Sequence, residues 1–271
     1  MPTPSDLLEF ALSLAELAEA KILPVYRNCT VTLKSDGSEV TEADRLAEQT
    51  MREAIGKQFP SHAILGEEFG GPTGPTKEPT WVLDPVDGTT SFTIGVPLFG
   101  TLIGYVEEGE PQVGVVHLPA IGETIFAAKG LGTWFKVRSA APQRVTVSNT
   151  SEIKEAFVSA CSVSPSDISP PLTGPCYRLS ALIPKARKFR FISDCLQHAL
   201  VAQGRIDAAI DTVMHPWDIA ALVPCVEEAG GVVTDLDGHR EGIVWRPSLL
   251  SSANRRLHTQ IISSLHRPLE Q

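Results

Sequence analysis

Trp81-Val82-Leu83-Asp84-Pro85-Val86-Asp87-Gly88-Thr89-Thr90 is an apolar run that ends in two carboxylates, a glycine and two hydroxyls. Trp81 to Leu83 has the composition of a buried strand, and the pattern predicts that it stops at Asp84. Pro85 stiffens the turn that follows, so Asp84 and Asp87 can converge on one small volume. Gly88 lets the backbone approach a ligand closely. Thr89 and Thr90 sit where a helix could begin, with its unpaired N–H groups facing an anion. Carboxylates hold divalent cations, and cations together with amides hold phosphate. The run reads as a metal and phosphate cradle.

Working outward, other acids stand at element boundaries. His62-Ala63-Ile64-Leu65 is a strand signal that delivers Glu67 and Glu68, Asp44 lies on a helix predicted from Thr41 to Lys57, and Asp218 follows Pro216-Trp217 at a helix start. Taken singly, Glu67-Glu68 reads as a solvated loop, Asp87-Gly88 as a turn, and Asp218 as a charge favoured by the helix dipole. Taken together they would repel one another unless hard cations such as Mg²⁺ bound them through oxygen. Asp84 and Asp87 are separated by two residues, which differs from the nucleophilic D-x-D-G-T pattern, and the alternating acids of an EF-hand are missing. No G-x-S-x-G elbow occurs and no cysteine sits in a nucleophile motif, so covalent catalysis has no obvious nucleophile.

Composition bounds the class. The chain has 271 residues, 42% of them hydrophobic, enough for one large core or two modest ones. A net charge of −9 argues against nucleic acid or an anionic membrane surface as partner, and no apolar run reaches spanning length. That acidity does not exclude a small phosphorylated substrate, since bound cations would reverse the local field. Five cysteines without a C-x-x-C pair suit free thiols in a reducing compartment. The first turns carry Asp6, Glu9, Glu16 and Glu19 and resemble neither a signal nor a transit peptide. A cytoplasmic location is the default expectation, with an organelle open should a targeting segment have been removed.

Leu7, Leu8, Ala11, Leu14, Ala15, Ala18 and Ile22 recur at helical spacing and predict a helix from Ser5, its N-cap, to Tyr26. Lys34-Ser35-Asp36-Gly37-Ser38 has the composition of a mobile polar loop, and residues 70–79 form another loop. Strands are predicted at Gly100 to Val106, Gln112 to His117 and Glu123 to Ala128, so residues 1–150 read as helices against an antiparallel sheet carrying most of the acids. Residues 151–271 read as α/β. The predicted elements there are a strand at Ala156 to Cys161, helices near Cys176 to Ile183 and Ser193 to Gln203, a strand at Arg205 to Asp211, and a helix from His215 to Ala229.

Gly66-Glu67-Glu68, the run from Trp81 to Phe92, and Trp217-Asp218-Ile219-Ala220-Ala221 resemble, in order, the signatures of the inositol monophosphatase family. Lys34 to Asp44 is similar to that family's mobile loop and following helix, and Glu228-Ala229-Gly230-Gly231 to its segment after the last metal ligand. The resemblance covers nearly the whole chain. It implies an αβαβα layered sandwich of the inositol monophosphatase and fructose-1,6-bisphosphatase type, mixed α+β and α/β in class. It further implies Mg²⁺-dependent hydrolysis of small phosphate monoesters, Li⁺ sensitivity in many members, and a homodimer.

By position, the resemblance gives Glu67, Asp84 and the Val86 carbonyl to one Mg²⁺ and Asp84, Asp87 and Asp218 to a second, two or three ions in all. Phosphate would meet these ions and the amides of Gly88 and Thr89. Glu67 and Thr89, with Thr89 oriented by Asp44, would position and deprotonate the attacking water, and Glu68 would support them.

The segment Arg190-Phe191-Ile192-Ser193-Asp194-Cys195 departs from the small residues of an inositol phosphatase and is more similar to the histidinol-phosphate phosphatase branch. Histidinol phosphate carries an ammonium and an imidazole, which a carboxylate beside the leaving group would attract. Asp194 is the leading candidate for that contact, Asp211 the second, and Arg190 could touch phosphate or organise these acids. The plainer reading makes Ser193 or Asp194 a helix cap and Arg190 a surface ion pair. His198 and His215 read as structural, because Mg²⁺ prefers oxygen. Inositol monophosphatase is the alternative activity, and a catalytically silent metal-binding scaffold the alternative of another class.

Overall fold

Residues 2–35, 37–163 and 177–266 are described by the structure, a computed structural model. Asp36 and Cys176, which the sequence places in a loop and a helix, lie outside them.

Helix α1 (Pro4–Ile22) starts at Thr3 and not at Ser5. The Thr3 hydroxyl accepts the Asp6 N–H at 3.2 Å, the Asp6 carboxylate accepts the Thr3 N–H at 2.8 Å, and Pro4 occupies the first helical position, where its missing N–H costs nothing. Strands β1 (Val31–Leu33) and β2 (Glu39–Thr41) pair antiparallel, with a Lys34 N–H to Ser38 O bond of 2.8 Å beyond their ends. Helix α2 (Glu42–Gln58) follows, capped by Thr41.

Strands β3 (Ala63–Gly66), β4 (Thr80–Asp87), β5 (Gly100–Glu107), β6 (Glu110–Leu118), β7 (Glu123–Ala128), β8 (Gly132–Val137) and β9 (Gln143–Val145) form one sheet in sequence order. The predicted antiparallel sheet is mixed, because β3 runs parallel to β4, and it is wider than the sequence suggested. Helix α3 (Thr89–Thr93) sits between β4 and β5. A second, mixed sheet contains β10 (Phe157–Ala160), β11 (Lys188–Phe191), β12 (Ala208–Asp211), β13 (Val232–Thr234) and β14 (Leu249–Ser252) in the order β11-β10-β12-β14-β13. The helices accompanying it are α4 (Leu179–Leu182), α5 (Asp194–Ala202), α6 (Pro216–Ile219), α7 (Leu222–Glu227) and α8 (Arg255–Leu265). The single helix expected from His215 to Ala229 is thus broken into α6 and α7, and the strand expected from Arg205 begins at Ala208.

Period-two alternation in β4 and β5 decides the layers. Trp81, Leu83 and Ile103 face α1 and α2, packing with Leu14, Ala18, Met51 and Ile55. Val82 and Leu102 face the other way, onto Leu196, Ala199, Ile219 and Leu222 of α5 to α7. Those helices also cover Ala209 and Leu249 of the second sheet, whose far face carries Val158, Ala208 and Leu250 against Leu179, Leu257 and Ile261. The result is the αβαβα order that the resemblance implied. Leu14, Met51, Ile55 and Ile103 are fully buried, and truncating one of them to alanine would cost about 2–5 kcal/mol.

The break between α6 and α7 is pressed into the first sheet at two glycines. A Cβ on Gly104 would lie 2.7 Å from the Ala220 Cβ, and one on Gly114 would collide with the Ala221 carbonyl oxygen. The bare backbones of β5 and β6 form the seat for the segment that carries Asp218.

Candidate active site

Strand β4 does not stop at Asp84. It pairs with β5 through Asp87, with Asp84 opposite Leu102, Asp87 opposite Gly100 and a register shift between them. In a regular strand, residues three apart point to opposite faces. One extra residue in the bulge returns Asp87 to the Asp84 side. Pro85, which has no N–H to lose, occupies the irregularity, and its carbonyl accepts the Thr101 hydroxyl at 2.8 Å. A bulge, and not the expected turn, makes the two carboxylates converge.

Carboxylate oxygens of Asp84, Asp87 and Asp218 lie within 4.8 Å of one another. Each acid receives a backbone N–H: Asp84 from Val86 at 3.0 Å, Asp87 from Cys195 at 2.6 Å, and Asp218 from His215 at 2.7 Å. These bonds do not offset the cost of crowding charge away from water. Burial, then the neighbouring Glu67, Asp87 and Asp218, push the Asp84 carboxyl well above the usual carboxylate range. Burial and the charges of Asp194 and Asp218 do the same to Asp87, and burial raises Asp218 to about 7 despite its bond from His215. The donor set is all oxygen, which suits a hard divalent cation, and such an ion would relieve this repulsion. The residues present therefore fit the metal that the sequence implied.

Glu67 leaves the end of β3, its N–H held by the Leu83 carbonyl at 3.2 Å. Its charge is felt by Asp84, Asp218 and Asp44, so it belongs to the same cluster. Lys34 reaches over from the end of β1, with Nζ 2.9 Å from Glu67 Oε1 and 2.6 Å from Glu68 Oε1. Burial opposes the lysine's charge, but the bonds to Glu68 and Glu67 outweigh it and raise its pKa.

Asp44 is the third helical residue of α2, and its Oδ2 accepts both the N–H and the hydroxyl of Thr41, at 2.9 and 2.5 Å. Its Oδ1 lies 3.5 Å from the Thr89 hydroxyl, which also reaches the Val86 carbonyl at 3.0 Å. Asp44 thus caps its helix and faces the cradle at once, and burial raises its pKa in spite of the Thr41 bonds. Gly88 caps α3 in the left-handed region, φ 83°, where a side chain would be strained. A Cβ there would also lie 2.6 Å from Asp194 Oδ2, so the absent side chain makes room for that carboxylate.

Asp194 and Asp211 line a small cavity of about 110 Å³ together with Asp87, Cys161 and Asp218. Burial raises the Asp194 carboxyl to about 6 although Cys161 hydrogen-bonds to it. Ser193 makes no side-chain cap bond. Asp211 is engaged inside the protein, accepting Gln197 Nε2 at 2.7 Å with His198 Nε2 at 2.9 Å. Arg190 does not join the group; it is exposed on β11, its guanidinium on the Phe189 carbonyl at 2.8 Å. His198 is buried between Asp211 and Ser251, and His215 stacks on Trp217.

The sequence reading passed over Lys34 as a ligand of Glu67 and Glu68, and it missed Glu48 altogether. Glu48 is fully buried on α2, accepts the N–H groups of Glu68 at 2.8 Å and Phe69 at 3.2 Å, and pairs with Arg52 at 2.7 Å. It shapes the loop that presents Glu67. Its signal was available: Asp44 and Glu48 share a helix face with Ala43, Ala47, Met51 and Ile55, so two acids stand within an apolar stripe.

Known proteins resemble the chain along nearly its whole length. The model of the inositol monophosphatase family matches residues 3–270. The histidinol-phosphatase of Chlorobaculum parvum is 38% identical over 263 residues, 95% of this chain and 96% of that protein. The histidinol-phosphatase of Mycobacterium tuberculosis is 38% identical over 235 residues, covering 86% and 88%. Among solved structures, the Thermotoga maritima IMPase superposes with a TM-score of 0.82 at 30% identity, covering 96% of each chain. With the layered fold, the bulged acidic strand and a match from one end to the other in agreement, the chain belongs to the inositol monophosphatase family.

Proposed function

We propose that this chain hydrolyses L-histidinol phosphate to L-histidinol and phosphate, using Mg²⁺ held by Glu67, Asp84, the Val86 carbonyl, Asp87 and Asp218. When bound, the ions neutralise phosphate oxygens and make water acidic enough to attack. The protein's own groups supply the rest. The amides of Gly88 and Thr89 open a short helix and have no partners within it, so they are available to a phosphate oxygen. Glu67 and Thr89 orient the attacking water, and Thr89 Oγ1 takes up its proton while passing its own towards Asp44 Oδ1. Burial, which raises the Asp44 carboxyl, suits it to receive that proton.

The observation that carries the substrate is Asp194. A carboxylate lies against Gly88 of the phosphate cradle, where the leaving alcohol would emerge. A cationic alcohol would stabilise its ionised form, while an uncharged ring would leave a buried charge without a partner. Asp211 lines the same cavity. Two of the relatives most similar in sequence are named histidinol-phosphatases, which agrees with this reading. Arg190 would need a side-chain movement to reach phosphate, and assembly as a homodimer is proposed from the resemblance alone.

Phosphate release by the purified chain tests the proposal, with kcat/KM compared for L-histidinol phosphate, inositol 1-phosphate and a 3′-phosphonucleotide, with and without Mg²⁺. A strong Mg²⁺-dependent preference for histidinol phosphate is expected. A preference for inositol phosphate would keep the metal site and remove the role of Asp194, and no turnover of any ester would favour the scaffold reading.

A further inference from the structure

Asp194 has a left-handed backbone, φ 51°, a conformation that is costly for a residue with a side chain and persists only where surrounding contacts hold it. The contact that faces it is Cys161. This residue follows β10 directly and is tied to the second sheet by its own N–H, which reaches the Ile210 carbonyl at 3.2 Å. Its Sγ lies 3.4 Å from the Asp194 N–H nitrogen and 3.5 Å from Asp194 Oδ1. The thiol thus accepts from the backbone and donates to the carboxylate of one and the same residue. Burial, with Asp211 and Asp194 nearby, raises its pKa and keeps it protonated for that donation. With Oδ1 tethered, Oδ2 is the oxygen left at Gly88.

We propose that Cys161 is a positioning residue for substrate discrimination: its thiol fixes the backbone and one oxygen of Asp194, so that the other oxygen meets the cationic part of the leaving alcohol. The inference rests on the reading of Asp194 given above. Cys161 is not among the groups assigned above to the metal, the phosphate or the attacking water, so its removal should spare the chemical step.

The test uses the full chain with saturating Mg²⁺ and two esters, L-histidinol phosphate and glycerol 2-phosphate, on Cys161→Ala, Cys161→Ser, Asp194→Ala and the Cys161→Ala/Asp194→Ala double variant. Loss of a hydrogen bond to a charged group should raise KM for histidinol phosphate about tenfold in Cys161→Ala, with kcat and the glycerol ester changed by less than about twofold. Serine keeps a donor and an acceptor, so Cys161→Ser should recover most of the loss. In the Asp194→Ala background, Cys161→Ala should have no further effect. Equal losses on both esters, failure of serine to rescue, or an undiminished effect without Asp194 would each overturn the role of Cys161 while leaving Asp194 standing. A wild-type chain that does not discriminate between the esters would instead overturn the reading of Asp194, and this inference with it.

Discussion

Among the described residues, two places bring three potential metal ligands within 4.8 Å: Asp84 with Asp87 and Asp218, and Asp235 with Asp237 and His239. At the second, Asp235 Oδ1 accepts the N–H groups of Asp237 and His239, at 3.0 and 2.7 Å, and Oδ2 faces His239 Nδ1 at 3.1 Å and Arg246 Nε at 3.7 Å. That carboxylate is consumed by its own turn, by the His239 ring and by the Arg246 guanidinium that the chain already supplies. At the first, no Lys, Arg or His pairs with the three acids among the described residues, and burial with mutual repulsion drives their pKa values up. Proximity is common to both clusters. Uncompensated buried charge belongs to one, and it is what calls for an external cation.

The sharpest way to break this contrast is Asp84→Asn. Mg²⁺-dependent turnover should fall by about a thousandfold or more, several kcal/mol of transition-state stabilisation being lost. The metal-free variant should melt higher than the metal-free wild type, since a repelling buried charge is gone; normal turnover by Asp84→Asn would end the metal assignment. Glu48→Gln comes next. It leaves Arg52 without its charge partner and weakens two backbone contacts, so urea unfolding should show a loss of about 3 kcal/mol, with a weaker response to Mg²⁺.

Melting as a function of pH, in EDTA and in Mg²⁺, measures the frustration itself. A folded Asp218 that titrates at about 7 holds a proton which the unfolded chain has released above its ordinary value of 3.8. The unfolded state binds fewer protons across that window, so stability of the metal-free protein falls as pH rises from 3.8 towards 7. Mg²⁺ at a hundred times its Kd should add about 2.7 kcal/mol near neutral pH and flatten the slope. A flat profile in EDTA would contradict the account. The smallest effect is expected at Asp235→Asn, about 1 kcal/mol of stability from weakened turn bonds, with kcat/KM and the Mg²⁺ response unchanged.

What could be read in the sequence was local. The run from Asp84 to Thr89 and the acids at Glu67 and Asp218 announce themselves by residue type at element ends, and the layered order followed once the resemblance was drawn. The bulge was not legible, because Asp84-Pro85-Val86-Asp87 suits a turn as well as a strand that gains one residue; only pairing with β5 decides between them. Thr3 outcompetes Ser5 as cap because Asp6 can answer it reciprocally, a detail visible in the sequence but outweighed there by the start of the apolar spacing. Cys161 could not have been found from spacing, since β10 and α5 meet only in the tertiary fold. The contacts of Lys34 with Ser38, Glu67 and Glu68 were likewise out of reach of local reading, because the two acids lie more than thirty residues away.

The two glycine seats in β5 and β6 have a consequence for the order of events during folding. Asp218 stands beside Asp84 with the Ala220–Ala221 backbone seated on Gly104 and Gly114, so the ion-binding constellation is expected to be complete only once that segment has docked on the first sheet. A cation that recognises that late arrangement has no purchase on the folding transition state. Mg²⁺ should therefore slow unfolding and leave the refolding rate unchanged, as stopped-flow traces at several ion concentrations would show; a refolding rate that climbs with Mg²⁺ would mean that the ion helps to bring the sheets together. The bound ion would then act as a latch on a finished molecule, lengthening its lifetime without hastening its birth.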